Sequence, residues 1–323
     1  MDVNTVEFSA PGKIILFGEH AVVYNHPAIA VAIDLRAKSS ISASSEQNSI
    51  LSVPDLFPKK LFNLNLATLP ENLAALKFVI DSLLEVTESS KHHTIEISSQ
   101  IPPSAGLGSS AAVSVSLIAS FSKFLGMDID LHEINKLAYE SEKIIHSFPS
   151  GIDNTISTYG GGILYENEVI KELSFLLSSN YVVIVNSLIP RNTKDLVESV
   201  RKKYDKNPSA IQGIFHNIHN IVIDAEKALK VGDLAQIGEL MSSNHQLLRD
   251  LGVSHRTLDE IVKTLDEKGA LGSKLTGAGG GGCVISLFDD YHRATEVIEL
   301  MKEKNLQAFI SNFSSDGVRN ELY

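Results

Sequence analysis

The sequence of 323 residues has no tryptophan, one cysteine and no stretch of eighteen consecutive apolar residues. Each absence excludes something. A lone Cys283 cannot close an intramolecular disulfide, so a reducing compartment is expected. Without an apolar run of about 18–20 residues no helix spans a bilayer, and the segment from Met1 to Glu7 has neither the basic nor the apolar region of a secretory leader. A cytoplasmic protein is the resulting expectation. Positive charge is also scarce, with 28 Lys and Arg against 39 Asp and Glu, a formal net charge of −11. That balance argues against a nucleic-acid-binding surface and against adhesion to anionic membranes, while leaving room for a local basic pocket that takes an acidic ligand.

What is present is ordinary globular material, 43% hydrophobic and 21% charged, in a chain longer than one hydrophobic core usually grows. Two domains are expected. The chain is organised around the loop Pro102, Pro103, Ser104, Ala105, Gly106, Leu107, Gly108, Ser109, Ser110, Ala111. The prolines stop what precedes them, the glycines relax the backbone, and Ser109 and Ser110 stand at the N-cap of a helix running to about Leu125. Such a loop is an anion site, because glycine lets the main chain approach a ligand and the free N–H groups of the first helical turn point at it. The cap and dipole contributions amount to only about 1–2 kcal/mol, so the loop needs partners elsewhere.

Taken in order, Ile14 to Phe17 and Ala28 to Leu35 read as buried strands, joined by a short connection from Gly18 to Pro27. Lys13 heads the first strand among apolar residues and must reach water or a counter-charge. Glu19 and His20 follow Gly18 in the turn, a place where loop residues carried on a rigid sheet do chemistry. The stretch 38–69 reads as edge strands and loops forming one wall of a cleft, Leu73 to Val86 as a helix, and His93 to Ser99 as a strand. In a helix from Leu131 to His146, Leu131, Ile134, Ala138, Ser141 and Ile145 share a stripe, with Glu142 at its margin. Glu142 is either a metal ligand or a surface carboxylate. Pro149, Ser150 and Gly151 open a short helix with Asp153 in its first turn, where the helix dipole alone would account for a carboxylate. Tyr181 to Val185 begins the second domain, followed by helices over 194–204, 210–231, 234–251 and 258–268, a glycine run from Gly277 to Gly282, a strand Val284 to Phe288, and a final helix with strands over 292–313. His216 and His219 sit at i, i+3, and without a Cys or carboxylate at ligand spacing they read as helix surface rather than a zinc site.

Gly277, Gly279 and Gly282 formally match a dinucleotide-binding pattern, yet a strand follows where that fold requires a helix. Neither glycine run ends in the Gly-Lys-Ser/Thr of a P-loop, and no protein-kinase His-Arg-Asp or Asp-Phe-Gly set occurs. Two separate glycine loops with an acid-bearing helix, a lysine and an aspartate still suit phosphate chemistry.

The runs 11–24, 102–112, 149–154 and 274–282 resemble the motifs of the small-molecule kinase superfamily that includes galactokinase, homoserine kinase and mevalonate kinase. Gly18 to Tyr24, Pro190 to Lys194, and Asn244 with Leu251 to Ser254 are similar to the mevalonate kinases in particular. This resemblance implies an α+β fold of two domains with a cleft between them, residues 1–178 forming an α/β domain of the ribosomal-protein-S5-like type and 179–323 a ferredoxin-like domain. It implies ATP-dependent phosphorylation of the mevalonate 5-hydroxyl, with the 102–111 loop around the ATP phosphates and Ser110 and Glu142 holding Mg²⁺. Asp153 would face the hydroxyl and pair with Lys13. Glu19, His20, Arg191, Thr193, Gly277 and Ala278 would line the substrate side. No residues suggest themselves for the adenine pocket, and the oligomeric state, a homodimer included, stays open. Asn25 and Ser104 stand where glycine is common in the family. Alternatives are a sister kinase of phosphomevalonate or a sugar, a decarboxylase of the diphosphorylated acid, and a non-catalytic ligand sensor.

Overall fold

The computed structural model describes residues 5–44, 48–65, 69–87, 92–103, 105–145, 149–175, 181–190 and 192–322. Ser104 and Arg191 therefore lie outside the described residues, as does the expected domain division at 178/179.

The first half contains β1 (Val6–Phe17), β2 (Ala28–Ala43), β3 (Ile50–Ser52), β4 (Leu61–Asn63), α1 (Ala74–Thr87), β5 (His93–Ser99), α2 (Ser109–Phe124), α3 (Leu131–Ile145), α4 (Ile152–Tyr159), β6 (Gly162–Glu166) and β7 (Val169–Leu173). β1 starts eight residues earlier than the apolar run from Ile14 suggests. The Pro11-Gly12 pair is absorbed by a register shift in the β1–β2 ladder at that point, the usual way a strand carries a residue that cannot donate. β2 likewise runs on past Leu35, because its second half pairs with β5 while its first half pairs with β6. The sheet order is β12-β1-β2-β5-β3-β4, where β12 is the C-terminal Arg319–Asn320, with β6 and β7 alongside the start of β2. Only β3 and β5 run parallel among the described pairs.

The second half contains β8 (Tyr181–Asn186), α5 (Thr193–Lys206), α6 (Pro208–Val231), α7 (Leu234–Leu251), α8 (Arg256–Glu267), β9 (Gly272–Leu275), β10 (Cys283–Phe288), α9 (Tyr291–Glu303), β11 (Gln307–Ser311) and β12 (Arg319–Asn320). Its antiparallel sheet has the order β11-β8-β10-β9, the arrangement of a ferredoxin-like βαββαβ unit in which the first crossover is expanded to four helices. The chain then returns to the first sheet, where β12 pairs with β1. The two cores meet along β8: Val182 and Ile184 pack into the first, Val183 and Val185 into the second, as strand alternation requires. Among the described residues no helix is long and apolar enough to cross a membrane.

Two helix readings need correction. Ser109 and Ser110 do not cap α2: the N-cap is Gly108, in the left-handed region at φ 74°, and both serines lie inside the first turn. The α3 stripe is shorter than its sequence spacing implies, since Leu131 and Ile145 at its ends are exposed and Glu142 is buried in its place.

Candidate active site

Two helices begin at the same spot. α2 starts after Gly108 and α4 after Gly151, both glycines in the left-handed region, where an L side chain would be strained. Neither N-cap glycine can cap with a side chain, which leaves first-turn N–H groups turned toward an anion, although in α4 the Ile152 N–H donates to Ser150 Oγ at 3.4 Å. Lys13 stands where they converge. Its backbone N–H donates to the Leu107 carbonyl at 2.8 Å, lacing the glycine loop to β1. Its ammonium lies 3.2 Å from Asp153 Oδ1, in the first turn of α4. A Cβ on Gly108 would come within 3.0 Å of Lys13 Cγ, so the loop and the lysine approach each other as closely as glycine allows.

α4 is fixed at both sides. Ser157 Oγ donates to the Pro11 carbonyl at 2.9 Å, tying it to β1 two residues from Lys13, and Asn154 Nδ2 donates to Asn135 Oδ1 at 2.6 Å, tying it to α3. α3 brings Glu142, 5% exposed. Burial pushes its carboxyl up to about 8, the Asp153 charge pushes the same way, and Lys13 opposes. A carboxylate held against desolvation and a like charge is a group that needs a cation.

A second cluster lies where the C-terminal glycine loop meets the turn after β1. His20, itself at φ 60°, places Nε2 2.8 Å from the Ala278 carbonyl; a carbonyl only accepts, so Nε2 carries the proton. Burial holds the His20 imidazole below its ordinary pKa. Glu19 pairs with Lys274, both buried, and Lys274 also donates to the Leu275 carbonyl at 2.8 Å. Burial pushes the Glu19 carboxyl up and the Lys274 ammonium down, and each charge opposes the shift of the other. Thr276 Oγ1 donates to the Ile15 carbonyl at 2.8 Å, which locks this loop onto β1. The loop itself is built on glycine: a Cβ at Gly279 would sit 2.1 Å from the Val253 carbonyl oxygen, and one at Gly281 2.4 Å from that of Ile189.

The structure thus brings Lys13, Glu142 and Asp153 together at the helix starts, and Glu19, His20 and Ala278 together beside Gly277. Thr193, by contrast, is exposed at the start of α5, where Asn192 caps the helix by accepting from Lys194 and Asp195. Lys274 is the residue that sequence reasoning passed over. Its signal was a lysine inside a four-residue strand that is otherwise small or apolar, which demands a buried counter-charge. A cavity of about 1080 Å³ opens beside the α2 start, lined by Pro102, Ser109 and Ser110 on one side and by Leu56, Asn72 and Leu73 on another. Leu56 belongs to the stretch 38–69 that reads as one wall of a cleft, although no residue there pointed to a nucleoside pocket in particular.

Comparison with known proteins agrees with this arrangement. The "GHMP kinases N terminal domain" description matches residues 73–162 and "GHMP kinases C terminal" matches 225–306. The Mevalonate kinase of Thermococcus sibiricus is 36% identical over 328 residues, covering 97% of each chain. Among solved structures, the Methanococcus jannaschii mevalonate kinase superposes with a TM-score of 0.83 at 32% identity, covering 97% of this chain and 98% of that one. The L. major mevalonate kinase in complex with R-mevalonate gives 0.81 at 29% identity, with 96% of each chain covered. This chain belongs to the GHMP kinase family and stands among its mevalonate kinases.

Proposed function

We propose that the chain transfers the γ-phosphoryl group of ATP to the 5-hydroxyl of (R)-mevalonate, giving ADP and 5-phosphomevalonate. The observation that carries this reading is the Lys13–Asp153 pair, 3.2 Å apart at the meeting point of two uncapped helix starts. Phosphoryl transfer passes through a loose transition state, so positioning and positive charge are what it needs most. The amides of 105–111 surround the phosphates, and the neighbouring cavity receives the nucleoside. Lys13 offers its ammonium to the charge that spreads over the transferred group, and Asp153 accepts the hydrogen bond of the attacking hydroxyl and aims it. The Glu19–Lys274 pair, His20, Gly277 and Ala278 form the wall facing the rest of the substrate.

Ser110 and Glu142 suit Mg²⁺, which binds through one or two protein oxygens plus substrate phosphates. The buried Glu142 carboxyl, unfavourable as an anion without a partner cation, supports that fit. When bound, the ion neutralises phosphate charge.

The test is ADP formation on a panel of mevalonate, phosphomevalonate, homoserine and galactose with ATP and Mg²⁺, the phosphorylated position being read by phosphorus NMR. Turnover of mevalonate alone, at the 5-position, is expected. Preference for any other member of the panel, or ADP accompanied by CO₂, would overturn the assignment.

A further inference from the structure

His216 and His219 lie one turn apart on α6, and the fold supplies what their sequence neighbourhood lacks. His26, just past the turn that bears Glu19 and His20, comes against them from the first domain. Its Nδ1 lies 3.3 Å from Nδ1 of His219, with the two rings edge-on and their centroids 5.5 Å apart. The ring of His216 stacks on His219 at 6.2 Å. This contact has a firm base, because Tyr24 stacks on Phe215 of α6 at 4.5 Å and holds the whole turn to the helix.

Two imidazole nitrogens bound to one zinc at about 2.0–2.1 Å, at the tetrahedral angle, stand about 3.3–3.4 Å apart. The observed spacing, bridged here by a hydrogen bond, has the length of one edge of that polyhedron. Imidazole suits Zn²⁺, Ni²⁺ and Cu²⁺, and it binds them only when its ring nitrogen is unprotonated. An imidazole is mostly unprotonated at neutral pH, so a ring lone pair is available to an ion. Gln212 completes the surroundings: its amide group is 3.3 Å from Nε2 of His26 and can present nitrogen or oxygen by turning over. With the metal on Nδ1, His26 carries its proton on Nε2 and donates it to the Gln212 oxygen, the outer hydrogen bond that metal-bound histidines commonly make. The proton shifts between ring nitrogens and none is released.

We propose that His26 and His219 chelate a late first-row divalent cation such as Zn²⁺ or Ni²⁺, pinning the turn that carries Glu19 and His20 to helix α6. Among the described residues no three His, Cys, Asp or Glu side chains already converge as a ligand set, so this is a two-point clamp. Water occupies the remaining positions, and His216, exposed one turn away, reaches the ion after rotation of its side chain.

Titration calorimetry and thermal melting of the full chain with ZnCl₂ and NiCl₂, free of nucleotide and chelator, test the proposal. One equivalent is expected to bind and to raise the melting temperature, and both His26→Ala and His219→Ala are expected to weaken binding at least about tenfold. His26→Gln and His219→Gln, which keep size and polarity, guard against a folding defect and should lose the ion equally. Absence of binding to the parent chain, or binding undiminished in either the His26 or the His219 variants, would overturn it.

Discussion

At the scale of single residues, Glu142 makes the most specific demand. Its folded pKa of about 8 lies above the ordinary carboxylate value of 4.5, so between those limits the folded protein holds a proton that the unfolded chain gives up. The stability associated with this group is therefore complete at low pH and is lost as pH rises toward 8. In nucleotide-free protein, the parent chain should lose melting temperature relative to Glu142→Gln across that window; parallel curves would contradict the assignment. If Glu142 holds Mg²⁺ as proposed, binding of MgATP requires its carboxylate and at neutral pH should release close to one proton, detected by calorimetry in buffers of different ionisation enthalpy, and none in Glu142→Gln. Lys13, Glu19, His20 and Asp153 stand out in the sequence beside a glycine or a strand start, but the roles proposed for them come from the resemblance to the kinase motifs and not from local spacing. Glu142 was left undecided there, since helical spacing puts it at a margin and only the packing of α3 against α4 shows that the margin is buried. Lys274 was not assigned at all, because its partner is 255 positions away in the chain.

At the scale of elements, the glycines at the loop turns carry the precision. Gly108 is left-handed and faces Lys13, so Gly108→Ala strains the backbone by about 1–3 kcal/mol and displaces the lysine. A fall in kcat of roughly tenfold to a hundredfold is expected, with a smaller change in melting temperature than a core substitution gives. The Glu19–Lys274 pair joins β9 to the turn after β1. Removing one partner leaves a buried charge alone, so Lys274→Met or Glu19→Gln should each cost about 3–5 kcal/mol in denaturant unfolding, and the double variant much less than their sum. Additive losses would mean that the two groups do not act as a pair. Most elements were readable from periodicity, α7 with its bounds unchanged. The misreadings share a cause. The Pro11-Gly12 bulge, the pairing of β2 with different neighbours along its length, and the glycine rather than serine cap of α2 all depend on what the backbone meets across the fold.

At the scale of the molecule, a ferredoxin-like domain and a mixed-sheet domain share the chain's ends, since β12 returns to β1 after the second sheet is complete. Lys13 lies on β1, and the glycine loops of both halves meet that strand, one through Leu107 and the other through Thr276. The geometry proposed for catalysis therefore depends on the assembled pair of domains, since Lys13, Glu142 and Asp153 meet in the first half while Ala278 of the second reaches His20. The most direct measurement is single-turnover phosphorylation of mevalonate by Asp153→Asn under saturating MgATP, with nucleotide affinity measured in parallel. The account predicts nearly unchanged ATP binding and a rate lower by about 10²–10⁴-fold; turnover at the parent rate would contradict it.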